Sequence, residues 1–280
     1  MLLSLIWMPA QVQKGAVAGG VGQVYLVPLG EGVGGTTAAI GIIGVLLGAG
    51  KLDPDWIAPF FPFEDDNSPF EQTTSEDPVV HLMQGVMHAE KLPREDLVGV
   101  KLSHALDLMS EGRDTDLLDL IIEKYQRLVA RKMDFIMVIG HPSVGMAWHR
   151  RIATSLGIPV VLVGSVGDDI KTPQVKERVL KMLSPVESSM KIKGVIMNRL
   201  PVETDRVELA SSLRKRNFPP LGLIPMSRTM AEVSAAEVAA ALGATVRFGH
   251  KALERVPMRC LVVATLHLEQ LLAKIRERGP

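Results

Sequence analysis

A glycine-rich turn follows the first clear apolar strand of this chain and leads straight into an apolar helix. The strand is Val24–Pro28, the turn is Gly30–Thr37 (GEGVGGTT), and the helix is expected over Ala38–Leu47. Few arrangements restrict a fold as strongly. A strand that ends on glycines and restarts as a helix leaves unpaired backbone N–H groups at a helix N-terminus, where the macrodipole favours an anion. With two threonines closing the turn, the layout is that of a phosphate-binding loop at the head of a βαβ unit. Gly30, Gly32, Gly34, Gly35, Thr36 and Thr37 are therefore its candidate nucleotide- or anion-binding residues. Thr36 stands where such a loop places the hydroxyl that holds Mg²⁺. In a loop that hydrolyses nucleotide, a lysine precedes that hydroxyl and reaches the outer phosphates. Gly35 occupies that position here. The loop is also one residue shorter than the common G-x-x-x-x-G spacing.

The rest of the chain alternates strand-like and helical segments. Strands are expected at Trp56–Phe61, Phe135–Ile139, Pro159–Val163, Val195–Asn198 and Leu221–Ile224, and helices at Val79–Ala89 and Asp114–Lys132. In the last of these, Leu117, Leu118, Ile121, Ile122, Tyr125, Leu128 and Val129 recur at spacings of three and four and mark one apolar face. Near-continuous apolar strands alternating with helices imply an α/β, doubly wound and mostly parallel sheet covered by helices on both faces. Ligands bind such sheets at the carboxyl ends of the strands, where the glycine loop lies. An Ala-rich helix, Ala231–Leu242, and a strand, Ala244–Phe248, close this domain. From Gly249 the pattern restarts with a strand at Met258–Ala264 and a helix at His267–Arg276. The expected organisation is a leader without structure over 1–20, a glycine-loop domain over 21–248, and the start of a second α/β module over 249–280.

Composition narrows the functional classes. The 280 residues are 47% hydrophobic, enough for a sizeable core. Lys plus Arg equals Asp plus Glu at 31 each, so no basic excess points to nucleic acid. A single cysteine, Cys260, sits in an apolar run, reads as a core thiol and fits a reducing, cytoplasmic location. The opening run MLLSLIWMPA has no positive charge before it and is too short for a membrane span. No two of the seven histidines form the i, i+4 pair of a zinc helix, and neither Ser143 nor Ser165 lies in a nucleophile elbow. His141, at a strand's carboxyl end, is the histidine placed to face the loop. Arg214–Lys215–Arg216 reads as a solvated helix end.

The order of these segments resembles a known family. VYLVPLGEGVGGTTAAIGIIGVL, LSHALDLMSEGRDTDLLDLIIEKYQ and IKGVIMNRL followed by PPLGLIPMS resemble the amino-terminal part of bacterial phosphate acetyltransferase. That part is a P-loop domain similar to dethiobiotin synthetase. FGHKALERVPMRCLVVATLHLEQLLAKI resembles the start of the regulatory module that follows it, named for an Asp-Arg-Thr-Gly-Gly motif that this chain lacks. The resemblance runs from about residue 22 to the end. It implies that acetyl transfer between coenzyme A and phosphate belongs to a catalytic domain outside this chain. It further implies a regulatory or structural role, with that catalytic domain, a small-molecule effector or further copies of the chain as partners.

The resemblance also bears on the chemistry of the loop. Active domains related to this one carry a lysine after the second strand in a Phe-Lys-Pro sequence, where this chain has Phe60–Phe61–Pro62. They carry a metal-holding acid in a Val-Glu-Gly sequence, where this chain has Val138–Ile139–Gly140. An apolar side chain cannot ligate Mg²⁺, which takes oxygen. With Gly35, that makes three replacements, and the expectation is a vestigial ATP, ADP or anion site without hydrolysis. Asn198, followed by Arg199, matches the family's Asn-Lys/Arg pair, whose asparagine meets an adenine edge; read locally, it is an Asx turn into Leu200–Pro201. The rival reading is a stand-alone ATP-dependent ligase of the dethiobiotin synthetase kind.

Overall fold

The computed structural model describes residues 22–50, 53–66, 77–87, 89, 91–167, 172–186, 190–227, 233–241, 243–245 and 257–258. Seven strands form one sheet: β1 (Gly22–Pro28), β2 (Ile57–Glu64), β3 (Val98–Lys101), β4 (Phe135–Ile139), β5 (Val160–Ser165), β6 (Ile192–Leu200) and β7 (Pro220–Pro225). Their order is β3-β2-β4-β1-β5-β6-β7, and every neighbouring pair is parallel. The helices between them are α1 (Gly35–Gly48), α2 (Pro78–Val86), α3 (Arg94–Leu97), α4 (Leu102–Ser110), α5 (Asp114–Ala130), α6 (Met146–Leu156), α7 (Val175–Leu183) and α8 (Arg206–Lys215). From β1 the chain first steps over β4 to β2, and later from β4 over β1 to β5. The winding therefore reverses around β1. Such a reversal opens a crevice at the carboxyl ends of the central strands.

Alternation along each strand assigns the two faces. Tyr25, Val27, Phe60, Val138, Leu162 and Met197 pack with α5 to α8 through Leu117, Ile121, Ile152, Val179 and Leu213. Leu26, Phe61, Met137, Ile139, Val163 and Ile196 belong to the opposite cluster with Ala39, Ile42 and Ile43 of α1 and Val80 and Met83 of α2. Each such aliphatic side chain contributes about 1.5–3 kcal/mol on full burial. The expected helices on both faces of a doubly wound sheet are thus present. In α5 the innermost residues are Leu117, Ile121, Tyr125 and Leu128, while Leu118, Ile122 and Val129 flank them half-buried. Gly157 ends α6 in the left-handed conformation, the helix stop its sequence position suggests.

Two features of the sheet differ from expectation. β2 continues three residues beyond Phe61, because Phe63 is buried in the core and pairs with Val100. β3 itself was not expected, being four residues long and interrupted by Gly99. That glycine is what permits the pairing: a Cβ on Gly99 would lie 2.4 Å from the Pro62 carbonyl oxygen. Asp96, just before β3, pairs with Arg131 beyond α5 and ties the short α3 turn to that helix.

The chain divides into two compact units between Met226 and Ser227. In the second, Val233–Ser234 (β8) pairs antiparallel with Pro257–Met258 (β9), and Ala235–Ala241 forms α9. The expected leader over 1–20, the end of the Ala244–Phe248 strand, Cys260, most of Met258–Ala264 and the His267–Arg276 helix lie outside the described residues.

One polar pair lies in the core. The hydroxyl of Tyr25 on β1 is hydrogen-bonded to Nδ1 of His149 on α6 at 2.7 Å, and both residues are wholly buried. Gly140 makes room for the ring, since a Cβ there would lie 2.9 Å from His149 Cε1. The other ring nitrogen, Nε2, has no hydrogen-bond partner among the described residues. Burial pushes the Tyr25 hydroxyl well above its ordinary range and lowers His149 from 6.5 to about 4. Folded His149 is therefore neutral where the unfolded residue takes up a proton. Its contribution to stability is complete above pH 6.5 and is lost as pH falls toward 4. The loss is on the order of 3 kcal/mol. Urea unfolding at pH 7 and pH 4.5 is expected to show this fall, and His149→Phe to flatten it; an unaltered pH dependence in the variant would exclude His149 as the source.

Candidate functional site

β1 ends at Pro28, and Leu29 still donates its N–H to the Val163 carbonyl of β5 at 2.8 Å. Beyond it the chain rises over the sheet edge as Gly30–Thr37 and enters α1 at Gly35. Gly32 (φ 60°) and Gly34 (φ 82°) are left-handed, and Val33 between them is not. Alternation of this kind turns successive N–H groups to one side and forms an anion-binding concavity. A hydrogen-bonded turn closes at Glu31–Gly32; from Gly34 to Thr37, no backbone carbonyl or side chain among the described residues accepts an N–H. No side chain caps α1, and its first turn holds no acidic residue. The amides are thus left for an anion from outside, whose charge the helix dipole favours.

The loop is held from the side by β6, two strands away. Asn198 Nδ2 donates to the Val33 carbonyl at 3.1 Å. Asn198 Oδ1 accepts the N–H of Arg199 at 3.0 Å. Arg199, in the left-handed region at φ 51°, extends its guanidinium to donate from Nη2 to the Gly32 carbonyl. Two consecutive loop carbonyls are therefore tied to two consecutive residues of one strand end. Gly34 must be glycine twice over: it is left-handed, and a Cβ on it would lie 2.2 Å from Asn198 Nδ2. Gly35 is the opposite case, because a Cβ there would meet nothing within 4 Å.

The structure brings Gly30, Gly32, Gly34, Gly35, Thr36, Thr37 and Asn198 together at one place. His141 stands on the neighbouring β4 crest, and its Nδ1 accepts from the Ser143 N–H at 3.3 Å. The Ser143 hydroxyl donates to Glu31 Oε1 at 2.8 Å, so this histidine reaches the loop through one serine. Sequence reasoning missed Arg199 as the positive group on the loop, taking cations there to be absent. The signal was the Asn-Arg pair at the end of β6, but only the sheet order shows that this end adjoins the loop.

Beneath the loop the surroundings are apolar. Ile139 and Phe61, which the resemblance sets against an acid and a lysine, are 8% and 4% exposed and lie in one cluster with Val33 and Ile43. Phe60 and Val138 are register partners, so Phe61 and Ile139 stand side by side just beyond them. The donor set fits a phosphate or a carboxylate. Ile139 and Phe61 offer a Mg²⁺ no oxygen ligand at the places where the resemblance expects charged groups.

No family model matches the chain. It is similar to phosphate acetyltransferase of Synechocystis sp., with 28% identity over 193 residues, 66% of this chain and 27% of that protein. It is also similar to phosphate acetyltransferase of Nitratidesulfovibrio vulgaris, with 26% identity over 171 residues, 57% of this chain and 24% of that protein. The chain thus spans about a quarter of the length of the curated relatives it matches. Among solved structures, the signal recognition particle receptor FtsY from Elizabethkingia anophelis aligns with a TM-score of 0.45 and 13% identity, over 77% of this chain and 62% of that one. Cobyrinic acid a,c-diamide synthase from Mycobacterium smegmatis aligns with a TM-score of 0.40 and 14% identity, over 75% and 86%.

The two adjoining glycines give opposite expectations. Gly34→Ala is expected to destabilise by on the order of 2 kcal/mol or more, through the left-handed backbone and the clash with Asn198. Gly35→Ala is expected to be neutral or to stabilise by about 0.5 kcal/mol, since it removes unfolded-state freedom at no steric cost. Chemical denaturation of both variants checks this, and equal effects would show that the β6 contact does not shape the loop.

Proposed function

We propose that this chain is a regulatory or structural region of a phosphate acetyltransferase-like protein, whose glycine loop holds a phosphate-bearing ligand without hydrolysing it. The observation that carries this reading is the apolar floor under an otherwise open loop. The unpartnered amides of Gly34–Thr37 suit an anion, but Phe61 and Ile139 leave no carboxylate for the metal and no second-strand lysine for the phosphates. A ligand bound there acts by altering the domain, not by reacting in it. Acetyl transfer between coenzyme A and phosphate then belongs to a catalytic domain elsewhere in the full protein or on a separate chain. The first domain is taken as dethiobiotin synthetase-like over 21–248. The segment from Gly249 onward is taken as the start of a module of the Asp-Arg-Thr-Gly-Gly kind.

We take the protein to be cytoplasmic, in keeping with its similarity to phosphate acetyltransferase. Among the described residues, no helix is long and apolar enough to cross a membrane. Its proposed partners are further copies of the chain and a small-molecule effector.

Isothermal titration with ATP, ADP, NADH and pyruvate tests it, alongside a Mg²⁺-dependent ATPase assay. Binding of at least one of the nucleotides without turnover is the expected result, with Thr36→Ala leaving the phosphate-release rate at background. Mg²⁺-dependent hydrolysis that Thr36→Ala abolishes would overturn it in favour of an ATP-dependent ligase of the dethiobiotin synthetase kind.

A further inference from the structure

We infer that Arg199 takes the place of the missing loop lysine: its guanidinium clasps the glycine loop through the Gly32 carbonyl and supplies the positive charge for a phosphate group on the loop amides. This rests on the reading that the loop binds a phosphate-bearing ligand.

Three observations support it. The first is position. Gly35 leaves the loop without a cation of its own, and the charged residue within it, Glu31, is an acid that accepts from Ser143. Arg199 reaches the loop from β6, and its Nη2 would lie 3.8 Å from a Cβ built on Gly32. The second is conformation. A left-handed arginine is uncommon and costs energy, so it persists only where its surroundings impose it. Here Asn198 imposes it, accepting the Arg199 N–H with its Oδ1 while its amide holds Val33. The third is charge with donors to spare. A guanidinium carries five N–H donors in a planar fork. The Gly32 carbonyl accepts from Nη2 and Nε is buried, while the side chain as a whole is only partly buried, so a permanent positive charge is held beside the amides that open α1. A lysine in the loop would reach the phosphate as a point charge from the helix side; Arg199 approaches from the strand side.

Pyrophosphate is the probe, because it presents the phosphate chemistry without a base. Its affinity for the full chain is measured calorimetrically for wild type, Arg199→Gln, Arg199→Lys and the double variant Arg199→Gln with Gly35→Lys. Amide exchange over 30–37 is followed in parallel. Arg199→Gln is expected to weaken pyrophosphate about tenfold or more and to speed exchange in the loop. Arg199→Lys, which keeps the charge and guards against misfolding, is expected to lose less affinity. The double variant is expected to recover affinity, since a side chain at position 35 enters open space, while loop exchange stays fast. That separation of affinity from exchange is something a purely structural arginine would not produce. Pyrophosphate binding by Arg199→Gln within about twofold of wild type, or a loss that Gly35→Lys fails to restore, overturns the assignment. Wild type that binds neither pyrophosphate nor nucleotide overturns the phosphate-site reading itself, and the inference with it.

Discussion

The carboxyl edge of the sheet takes its form from β1, which is buried on both faces and flanked on both sides. Leu26 faces α1, Tyr25 and Val27 face the opposite helices, and β4 and β5 pair along its edges. A strand enclosed in this way has one exit, over the crest. The chain that leaves it must clear two neighbouring strand ends and then re-enter as a helix lying back on the sheet. Glycine at positions 32 and 34 permits that reversal, and the buried face of α1 fixes where it ends. The position of the loop is thus a result of core packing, whatever the loop binds.

Two opposed environments then meet at the loop. Below it, Val33, Ile139 and Phe61 continue the apolar core almost to the surface. Beside it, Asn198 and Arg199 supply a polar strap. The floor has no place for an isolated charge, which would be buried and unpaired there. The strap holds the two loop carbonyls. The two environments are separable because different strands provide them: β2 and β4 the floor, β6 the strap.

Much of this was legible in the sequence, and the gaps have physical causes. The glycine loop, the parallel sheet and the amphipathic face of α5 follow from local spacing and turn chemistry, which act within a few residues. Gly35, Phe61 and Ile139 could be recognised as departures because each falls inside a short motif. β3 escaped notice because four residues around a glycine carry no periodicity; its pairing depends on the Pro62 carbonyl, some 37 residues earlier in the chain. The buried Tyr25–His149 pair left no local signal, since its two members are 124 residues apart. Arg199 escaped for a similar reason. Its contact with Gly32 spans 167 residues and depends on β6 lying two strands from β1, which a single sequence does not reveal.

The strap has a further consequence for the energetics of recognition. Flexible loops that close around an anion lose conformational entropy on doing so, and that cost is subtracted from affinity. In this chain the carbonyls of Gly32 and Val33 are already anchored by the protein's own side chains, and both left-handed turns are set by glycine. On the proposed reading, an anion arriving at the crest would meet a surface already shaped by folding, the ordering of the loop being supplied by its contacts to β6 and by the core of the sheet.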